Sequence, residues 1–211
     1  MEKKICIYGT GGFGKEVLTC LIDTIGESPI NLNTEVSFMV SDNFYKESEV
    51  MGISVIPQST FNPEIFDVIV AIGDPIQRKL AVESLPHNTT FTKLIHPTAI
   101  ISKWVEIGEG SIITAGCILT CNIKIGKHAQ LNLNTTIGHD CIIGDYFTTA
   151  PGANISGNCR FDNNVYFGTG SAVKQNIKIC CDVTIGMGGI VTSDINESGV
   201  YIGNPVKKLN V

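Results

Sequence analysis

Apolar positions follow two different periods along this chain, and the change falls at about residue 95. Residues 1–94 alternate short apolar runs, which are typical of buried strands, with segments whose apolar residues have helical spacing. This alternation predicts a small α/β unit with a Rossmann-like order of elements. The predicted elements are, in order, a strand at Ile5–Tyr8, a glycine-rich turn at Gly9–Gly14, a helix at Lys15–Ile25, strands at Val36–Val40 and Val68–Ile72, and a helix from Pro75 through Leu85.

From Ile95 onward, every sixth residue is large and apolar over seventeen consecutive positions, with Thr149 as the exception. Six residues per straight edge and three edges per turn define the hexapeptide β-helix, and no α-helix or ordinary strand has this period. The ladder consists of Ile95, Ile101, Ile107, Ile113, Leu119, Ile125, Leu131, Ile137, Ile143, Thr149, Ile155, Phe161, Phe167, Val173, Ile179, Ile185 and Val191. The register never slips, so residues 95–211 are predicted to form an uninterrupted parallel β-helix with a C-terminal tail.

Two other steps of the six-residue repeat support this prediction. The residue four places after each ladder position is never charged, and Cys117, Cys141 and Cys159 occupy this step, so we expect them to be small core hydrophobes. The residue directly after a ladder position is often glycine, which predicts a strained backbone there. These glycines are Gly108, Gly126, Gly138, Gly144, Gly168 and Gly186.

Composition narrows the class of protein. Hydrophobic residues make up 43% and charged residues 17%, which is enough for a packed core. A net charge of −5 argues against nucleic acid or an anionic membrane as a partner. The start of the chain does not resemble a signal peptide, and no apolar run approaches the roughly 18 residues of a membrane helix. We therefore expect a cytoplasmic protein whose eight cysteines are reduced thiols.

A Gly-x-Gly-x-x-Gly pattern at Gly9, Gly11 and Gly14 follows the first predicted strand and precedes the first helix. Glycines let the backbone approach a ligand, and a helix N-terminus attracts anions, so this turn is a candidate phosphate site. A dinucleotide-binding domain also needs an acidic residue after the second strand, and Asp42 lies near that place. However, a unit of under 95 residues is short for such a domain, so the pattern alone is weak evidence.

His139 is the strongest candidate for chemistry. It lies two residues after the inward Ile137, so we expect it to point outward, on a flat sheet surface. Asp140 follows directly, and a carboxylate beside an imidazole favours proton acceptance near neutral pH. Gly157 lies eighteen residues later, which is one turn of the β-helix, so it is expected to stack beside His139.

Five segments of the chain resemble the NeuD/PglD-type sugar O- and N-acyltransferases, and together they span nearly its whole length. They are IYGTGGFGKEV near the start, AIGDPIQR at residues 71–78, LIHPTAIIS at the beginning of the repeats, GHDCIIGD at residues 138–145, and GVYIGNPVKKL near the end. The resemblance implies a left-handed β-helix, acetyl-CoA as co-substrate, and a homotrimer whose CoA cleft lies between subunits.

The same resemblance assigns roles to individual positions. It implies that His139 is the general base, assisted by Asp140. It also implies that the main-chain N–H of Gly157 donates a hydrogen bond to the thioester of acetyl-CoA. It implies further CoA contacts at Thr148, Thr169, Met187 and Gly188. It places a nucleotide-sugar acceptor at Gly11, Gly12, Phe13, Asp42, Ala71, Ile72, Gly73 and Asn132. Some family members carry histidine where this chain has Phe13, which leaves the identity of the acceptor open.

Three alternatives remain beside N-acetylation of a nucleotide-linked amino sugar. The first is O-acetylation of sialic acid or another sugar. The second is a zinc enzyme like the γ-type carbonic anhydrases, which share the β-helix; zinc requires three converging histidines, and the four histidines here lack that spacing, so no metal is expected. The third is a non-catalytic β-helix scaffold, which would not need the His139–Asp140 pair.

Overall fold

A computed structural model of the protein describes residues 3–26 and 31–209. The N-terminal part forms a six-stranded sheet in the order β3-β4-β2-β1-β5-β6, parallel except for the β3–β4 hairpin. Its strands are β1 (Lys4–Tyr8), β2 (Val36–Val40), β3 (Glu49–Val50), β4 (Ile53–Pro57), β5 (Phe66–Val70) and β6 (Thr90–Phe91). Its helices are α1 (Gly12–Ile25), α2 (Leu32–Glu35) and α3 (Pro75–Glu83), with short 3-10 helices at Asp42–Phe44 and Gln58–Thr60.

Several boundaries differ from the sequence prediction: β1 begins at Lys4 rather than Ile5, β5 spans Phe66–Val70 rather than Val68–Ile72, and α3 ends at Glu83 rather than Leu85. Helix α1 begins at Gly12, inside the predicted glycine turn, because the Lys15 N–H already bonds the Gly11 carbonyl at 3.1 Å. Strand β5 ends at Val70, although the Ala71 N–H still bonds the Tyr8 carbonyl of β1 at 2.8 Å. The glycines of the turn are needed for close packing: a Cβ on Gly14 would lie 2.0 Å from the Gly9 carbonyl oxygen.

The second part is a three-sided parallel β-helix whose successive turns pair in a register of eighteen residues. The first face, called here the junction face, contains β7 (Leu94–Ile95), β10 (Ile112–Ile113), β13 (Gln130–Leu131), β16 (Thr148–Thr149), β19 (Tyr166–Phe167) and β22 (Val183–Ile185), followed by the hairpin of β24 (Gly199–Gly203) and β25 (Val206–Lys208). The second, the uncharged face, contains β8 (Ile100–Ile101), β11 (Ile118–Leu119), β14 (Thr136–Ile137), β17 (Asn154–Ile155), β20 (Ala172–Val173) and β23 (Ile190–Val191). The third, the charged face, contains β9 (Val105–Ile107), β12 (Ile123–Ile125), β15 (Ile142–Ile143), β18 (Arg160–Phe161) and β21 (Lys178–Ile179).

The predicted ladder forms the core of this β-helix, and the fold class is confirmed. Ladder residues from Ile113 to Val191 are buried, and Cys117, Cys141 and Cys159 lie among them as free thiols. The exception, Thr149, is also buried. Its hydroxyl and that of Thr135 lie 2.7 Å apart and form a hydrogen bond. Two inward hydroxyls thus satisfy each other, which offsets the cost of burying them.

Positive φ angles mark the corners between faces and correct one expectation. The glycines directly after ladder positions have no positive φ; they are required because turns stack closely, as at Gly108, where a Cβ would lie 2.4 Å from the Gly126 oxygen. The left-handed residue comes two places later, at every sixth position. These residues are Gly110, Gly116, Asn122, His128, Asn134, Asp140, Tyr146, Gly152, Asn158, Asn164, Gly170, Asn176, Asp182 and Gly188. Glycine, asparagine and aspartate dominate because they adopt this conformation most readily.

The junction face packs against the N-terminal sheet and its helices. Leu94 and Ile112, which project outward from the β-helix, join the hydrophobic cluster that contains Ile7 and Leu18 of the N-terminal unit. Two residues, Thr92 and Lys93, link the end of β6 at Phe91 to the first strand of the β-helix at Leu94. Among the described residues, no helix has the length and apolarity needed to cross a membrane.

Candidate active site

His139 lies at a corner of the β-helix, between the end of β14 at Ile137 and the start of β15 at Ile142. The expectation of an outward side chain holds, since 62% of the His139 side chain is exposed. The expected flat surface is wrong: His139 and Asp140 form the turn that joins the uncharged face to the charged face. A corner lets the imidazole reach beyond either face.

The imidazole is held on two sides. Its Nδ1 lies 2.7 Å from the Asp140 Oδ2. On the other side it packs against Gly157, where a Cβ would lie 2.6 Å from the His139 Nε2 and 2.7 Å from its Cε1. Real Cβ atoms are not found this close to another heavy atom, so only glycine leaves the ring in place. The glycine one turn above His139 is therefore a steric requirement of the site.

The contact with Asp140 determines what the ring can do. A carboxylate accepts hydrogen bonds only, so in the neutral imidazole Nδ1 carries the proton and Nε2 keeps a free lone pair. The Asn122 amide and the His139 ring both hold the pKa of the Asp140 carboxyl below its usual value. Asp140 is thus ionised at neutral pH, and His139 Nε2 is a proton acceptor open to solvent.

The Gly157 N–H is a second free group at this corner. Neither a backbone carbonyl nor a side chain of the described residues accepts a hydrogen bond from it. Its neighbours are engaged: the Asn158 N–H bonds the His139 carbonyl at 2.7 Å, and the Ser156 N–H bonds the Val173 carbonyl at 3.3 Å. An unused amide beside a proton acceptor is an arrangement suited to polarising a carbonyl that is under attack.

Three of the residues predicted to contact CoA lie at another corner, between the junction face and the uncharged face. Thr169, Met187 and Gly188 stack there in successive turns, and the Gly188 N–H bonds the Thr169 carbonyl at 2.8 Å. Met187 is 78% exposed, which is unusual for a large apolar side chain. This methionine corner and the corner of His139 border the same uncharged face from opposite sides.

Thr148, the fourth residue predicted to contact CoA, is not at that corner. It is buried on the junction face, where its hydroxyl accepts a hydrogen bond from Arg78 at 2.7 Å and lies 3.3 Å from the Gly73 oxygen. Both hydrogen-bonding capacities of the hydroxyl are used within the protein. The structure therefore places Thr148 with the contacts that join the two parts of the chain.

Arg78 is the centre of those contacts, and sequence reasoning did not single it out. Its side chain is fully buried, and no carboxylate of the described residues forms an ion pair with it. Its donors instead meet neutral oxygens on both parts of the molecule. These are the carbonyls of Ile72 (2.7 Å), Gly73 (3.1 Å), His128 (2.9 Å), Tyr146 (2.8 Å) and Phe147 (3.4 Å), the Gln130 Oε1 (3.0 Å) and the Thr148 hydroxyl (2.7 Å).

A cavity of about 590 Å³ opens at the carboxyl ends of the N-terminal strands, where ligands bind in open α/β sheets. Gly9 and Thr10 of the glycine turn, Ser41 after β2 and Ile72 after β5 line it. Helix α3 contributes a further side with Gln77, Leu80 and Ala81, and Tyr8, Val40, Phe44, Lys46, Gln58 and Ser84 complete the wall. Its size fits a small ligand, and Ile72 is the one predicted acceptor residue that lines it.

The predicted acceptor residues are distributed around this cavity unevenly. Ile72 lines it, Ala71 and Gly73 flank Ile72, and Gly11 and Gly12 are exposed at the start of α1. Asp42 lies beside the cavity with its carboxylate bonded by the Ser59 hydroxyl. Phe13 packs against the hydrophobic cluster of the sheet and does not line the cavity.

Asn132, the remaining predicted acceptor residue, lies on the β-helix next to the methionine corner. Its side-chain oxygen accepts the Leu133 N–H at 2.8 Å, and its own N–H bonds the Thr149 hydroxyl at 3.1 Å. The side-chain amide nitrogen is not used by any described residue. In the described ranges, no group of three or more histidine, cysteine, aspartate or glutamate side chains is arranged to hold a metal ion.

Comparison with known proteins identifies the family. Residues 4–85 match the family described as PglD N-terminal domain. The solved structure of WeeI from Acinetobacter baumannii AYE superposes with a TM-score of 0.90 and 30% sequence identity, covering 99% of this chain and 100% of that one. The chain belongs to the NeuD/PglD-type family of sugar acyltransferases.

Two further relatives show what similar members of the NeuD/PglD-type family bind. GDP-perosamine N-acetyltransferase of Escherichia coli O157:H7 is 28% identical over 176 residues, which cover 81% of this chain and 78% of that protein. PerB from Caulobacter crescentus, solved in complex with CoA and GDP-perosamine, has a TM-score of 0.86 and 26% identity, covering 100% of this chain and 99% of PerB. The predicted family and enzyme class are thus confirmed: the protein is an acyltransferase.

Proposed function

We propose that the protein transfers an acetyl group from acetyl-CoA to the amino group of a nucleotide-linked sugar. Two similar proteins support this substrate class: one is named GDP-perosamine N-acetyltransferase, and the other was solved in complex with CoA and GDP-perosamine. The observation that carries the proposal is the corner itself, where a carboxylate-held imidazole and an unused main-chain N–H lie side by side.

The proposed reaction follows from those two groups. The amine nitrogen of the sugar attacks the thioester carbonyl carbon, and His139 Nε2 takes a proton from that nitrogen. The Gly157 N–H donates to the carbonyl oxygen, which becomes an oxyanion in the tetrahedral intermediate. Collapse of that intermediate breaks the carbon–sulfur bond, and the departing CoA thiolate receives the proton from His139. The products are an N-acetyl sugar and free CoA thiol, so atoms and charge balance.

We assign CoA to the methionine corner, with Thr169, Met187 and Gly188 as contacts, and leave Thr148 out because its hydroxyl is buried and used. The thioester end must then reach His139 at a different corner of the β-helix. One uncharged face separates the two corners within a single chain. Packing of two copies along that face would bring the methionine corner of one copy to the histidine corner of the next.

A homotrimer is the proposed assembly, and the three faces differ in a way that supports it. The junction face is covered by the N-terminal unit. The outward residues of the charged face are Glu106, Lys124, Ile142, Arg160 and Lys178. The outward residues within the strands of the remaining face, all of them described, carry no charge: Ile100, Ile118, Thr136, Asn154, Ala172 and Ile190. Lys174, exposed directly after β20, is the charged residue at the edge of this face. An uncharged face with exposed isoleucines is suited to contact between copies.

The acceptor is assigned to the cavity of about 590 Å³ in the N-terminal unit, where the glycine turn and Lys46 offer contacts for phosphate. We place the activity in the cytoplasm, because the eight cysteines are free thiols, as expected in a reducing compartment. The glycine turn, Asp42 and the 71–73 segment are the proposed acceptor contacts. Phe13 is proposed to support the turn from behind, since it packs into the core.

The test is an assay of free thiol released from acetyl-CoA in the presence of candidate acceptors. Nucleotide-linked 4-amino sugars carrying GDP, UDP or dTDP are compared with the same nucleotides linked to sugars that have a hydroxyl at that carbon, and with sialic acid. We expect turnover only with an amino sugar. Turnover with sialic acid or with a hydroxyl sugar alone would establish O-acetylation instead, and no turnover with any acceptor, in a folded trimer, would favour a scaffold.

A further inference from the structure

Asn122 lies at the same corner as His139, one turn earlier, and is bonded to the carboxylate that holds the imidazole. Its Nδ2 donates to the Asp140 Oδ1 at 2.5 Å, while the Asp140 Oδ2 lies 2.7 Å from the His139 Nδ1. The three side chains therefore form a continuous line from an amide through a carboxylate to the imidazole. All three are exposed, and neither Asn122 nor Asp140 contributes to the hydrophobic core.

Bonds of this kind also occur where there is no chemistry. Further along the same corner Asn158 donates to Asn176 at 2.6 Å, and at another corner Asn164 donates to Asp182 at 2.8 Å, in each case one turn apart. Such pairs stabilise corner residues that have positive φ angles. The Asn164–Asp182 pair has the same two residue types as the Asn122–Asp140 pair, but Cys181 takes the place of the histidine.

We propose that Asn122 is a positioning residue for the reaction. It fixes the Asp140 carboxylate, and the carboxylate in turn holds the His139 ring with Nε2 against Gly157. This inference rests on the proposed role of His139 as general base. A carboxylate with one partner can rotate about its terminal torsion, which has broad energy wells, whereas one bonded through both oxygens is restrained. The ring is largely in solvent, so its orientation depends on Asp140 and Gly157 rather than on core packing.

The surroundings leave few other groups for this role. The residues stacked at this corner on adjoining turns are Cys121 and Asn122 below, and Gly157 and Asn158 above. Cys121 is the one additional titratable side chain among these described residues, and its sulfur forms no hydrogen bond with any of them. Asn158 is engaged with Asn176 on the far side. Asn122 is thus the side chain that holds the second oxygen of Asp140.

The first test compares Asn122→Gly with Asn164→Gly. Glycine adopts the positive φ of both positions without strain, so each variant loses one amide and one exposed hydrogen bond. We expect Asn122→Gly to lower kcat about tenfold and to leave the KM for acetyl-CoA unchanged. Asn164→Gly should keep wild-type kcat, with a similar small loss in melting temperature. Wild-type kcat in Asn122→Gly, or an equal fall in both variants, would overturn the proposal.

The second test asks whether Asn122 acts through Asp140, using a double-mutant cycle. In an Asp140→Gly background, the additional Asn122→Gly change should leave kcat unaltered, because the carboxylate it positions is gone. A further tenfold fall would show a structural effect independent of Asp140 and would refute the inference. His139→Ala separates this from the wider proposal: if it retains turnover, the general-base assignment fails, whereas inactive His139→Ala with unimpaired Asn122→Gly rejects only the role of Asn122.

Discussion

The histidine corner and the Arg78 junction place polar groups in opposite settings. His139 and Asp140 are 62% and 48% exposed, and removing either side chain takes nothing from the hydrophobic core. Arg78 is fully buried and bonds oxygens of both parts of the protein, and several of these oxygens accept from no other group of the described residues. The difference teaches that the proposed reacting groups lie where the fold does not depend on them. The group that joins the N-terminal unit to the β-helix lies where the fold does depend on it.

His139→Ala tests whether the exposed corner serves catalysis without serving stability, and it should have the largest effect. The substitution removes the proton acceptor but no core contact, so kcat should fall about 10²- to 10⁴-fold while the melting temperature and the Kd for acetyl-CoA stay near those of the wild type. Steady-state kinetics and calorimetry of acetyl-CoA binding measure the two effects. Lost acetyl-CoA binding would make His139 a binding residue, and a large loss of stability would contradict its placement outside the core.

Arg78→Met is the converse change and should affect stability first. Methionine preserves much of the buried volume but leaves the carbonyls of Ile72, His128 and Tyr146 without the Arg78 donor. Breaking such a buried polar cluster costs about 3–5 kcal/mol. Urea unfolding should show this loss, whereas Lys79→Met, an exposed cation on the same helix, should change stability little. An Arg78→Met variant as stable as wild type would contradict the role of the junction.

These two positions also show what the sequence can reveal. In the β-helix, the ladder fixes the register, so residues eighteen apart stack on successive turns. Gly157 follows His139 by eighteen residues, and Asn122 precedes Asp140 by eighteen, so both neighbours of the site can be found from the sequence. The β-helix and the inward cysteines followed from this period, whereas the family followed from the resemblance of five segments along the chain. The site residues that came from the resemblance, among them Thr169 and Met187, have a defined place in the structure but stay predictions as to role.

Other features could not be predicted because their cause is distant in sequence. Arg78 bonds residues 50 to 70 positions away, and nothing in its own segment marks it as buried. Thr148 is outward in the repeat, as the register requires, but no periodicity tells which face the N-terminal unit will cover. The corner position of His139 was missed because the ladder defines which residues point inward, whereas the turn depends on the left-handed residue two to three places later.

A buried histidine near the Arg78 junction, His128, should make the free energy of unfolding depend on pH. This side chain is buried, with Tyr146 stacked at 5.3 Å and Phe91 edge-on at 4.7 Å, and its Nδ1 has no partner among the described residues. The pKa of His128 is lowered to about 4, mainly by burial; Glu109 opposes this shift, and the nearby Arg78 charge adds to it.

Between about pH 6.5 and pH 4, the unfolded chain therefore binds a proton that the folded chain does not. Stability should be complete above pH 6.5 and should fall as the pH decreases toward 4, by up to about 3 kcal/mol. Urea unfolding at pH 7, 5.5 and 4.5 measures this. His128→Asn, which tolerates the positive φ, should flatten that dependence, whereas His87→Asn, an exposed histidine, should not. An unchanged slope in His128→Asn would assign the acid loss to other groups.

The smallest expected effect concerns Met187, which tests whether the methionine corner contacts CoA. Its side chain is 78% exposed, so replacing it with alanine should not destabilise the chain. Burial of a few methylene-sized groups against a ligand contributes about 1 kcal/mol, so Met187→Ala should raise the KM for acetyl-CoA about threefold to tenfold with kcat and acceptor KM unchanged. Met51→Ala is the matched control, because Met51 is 57% exposed but lies in the N-terminal unit, and it should leave every kinetic constant unaltered. Since the methionine corner borders the uncharged face, light scattering of both variants must accompany the kinetics. A raised KM in an intact trimer supports the contact with CoA, a dissociated trimer would instead make Met187 an interface residue, and an unchanged KM would remove the methionine corner from the CoA site.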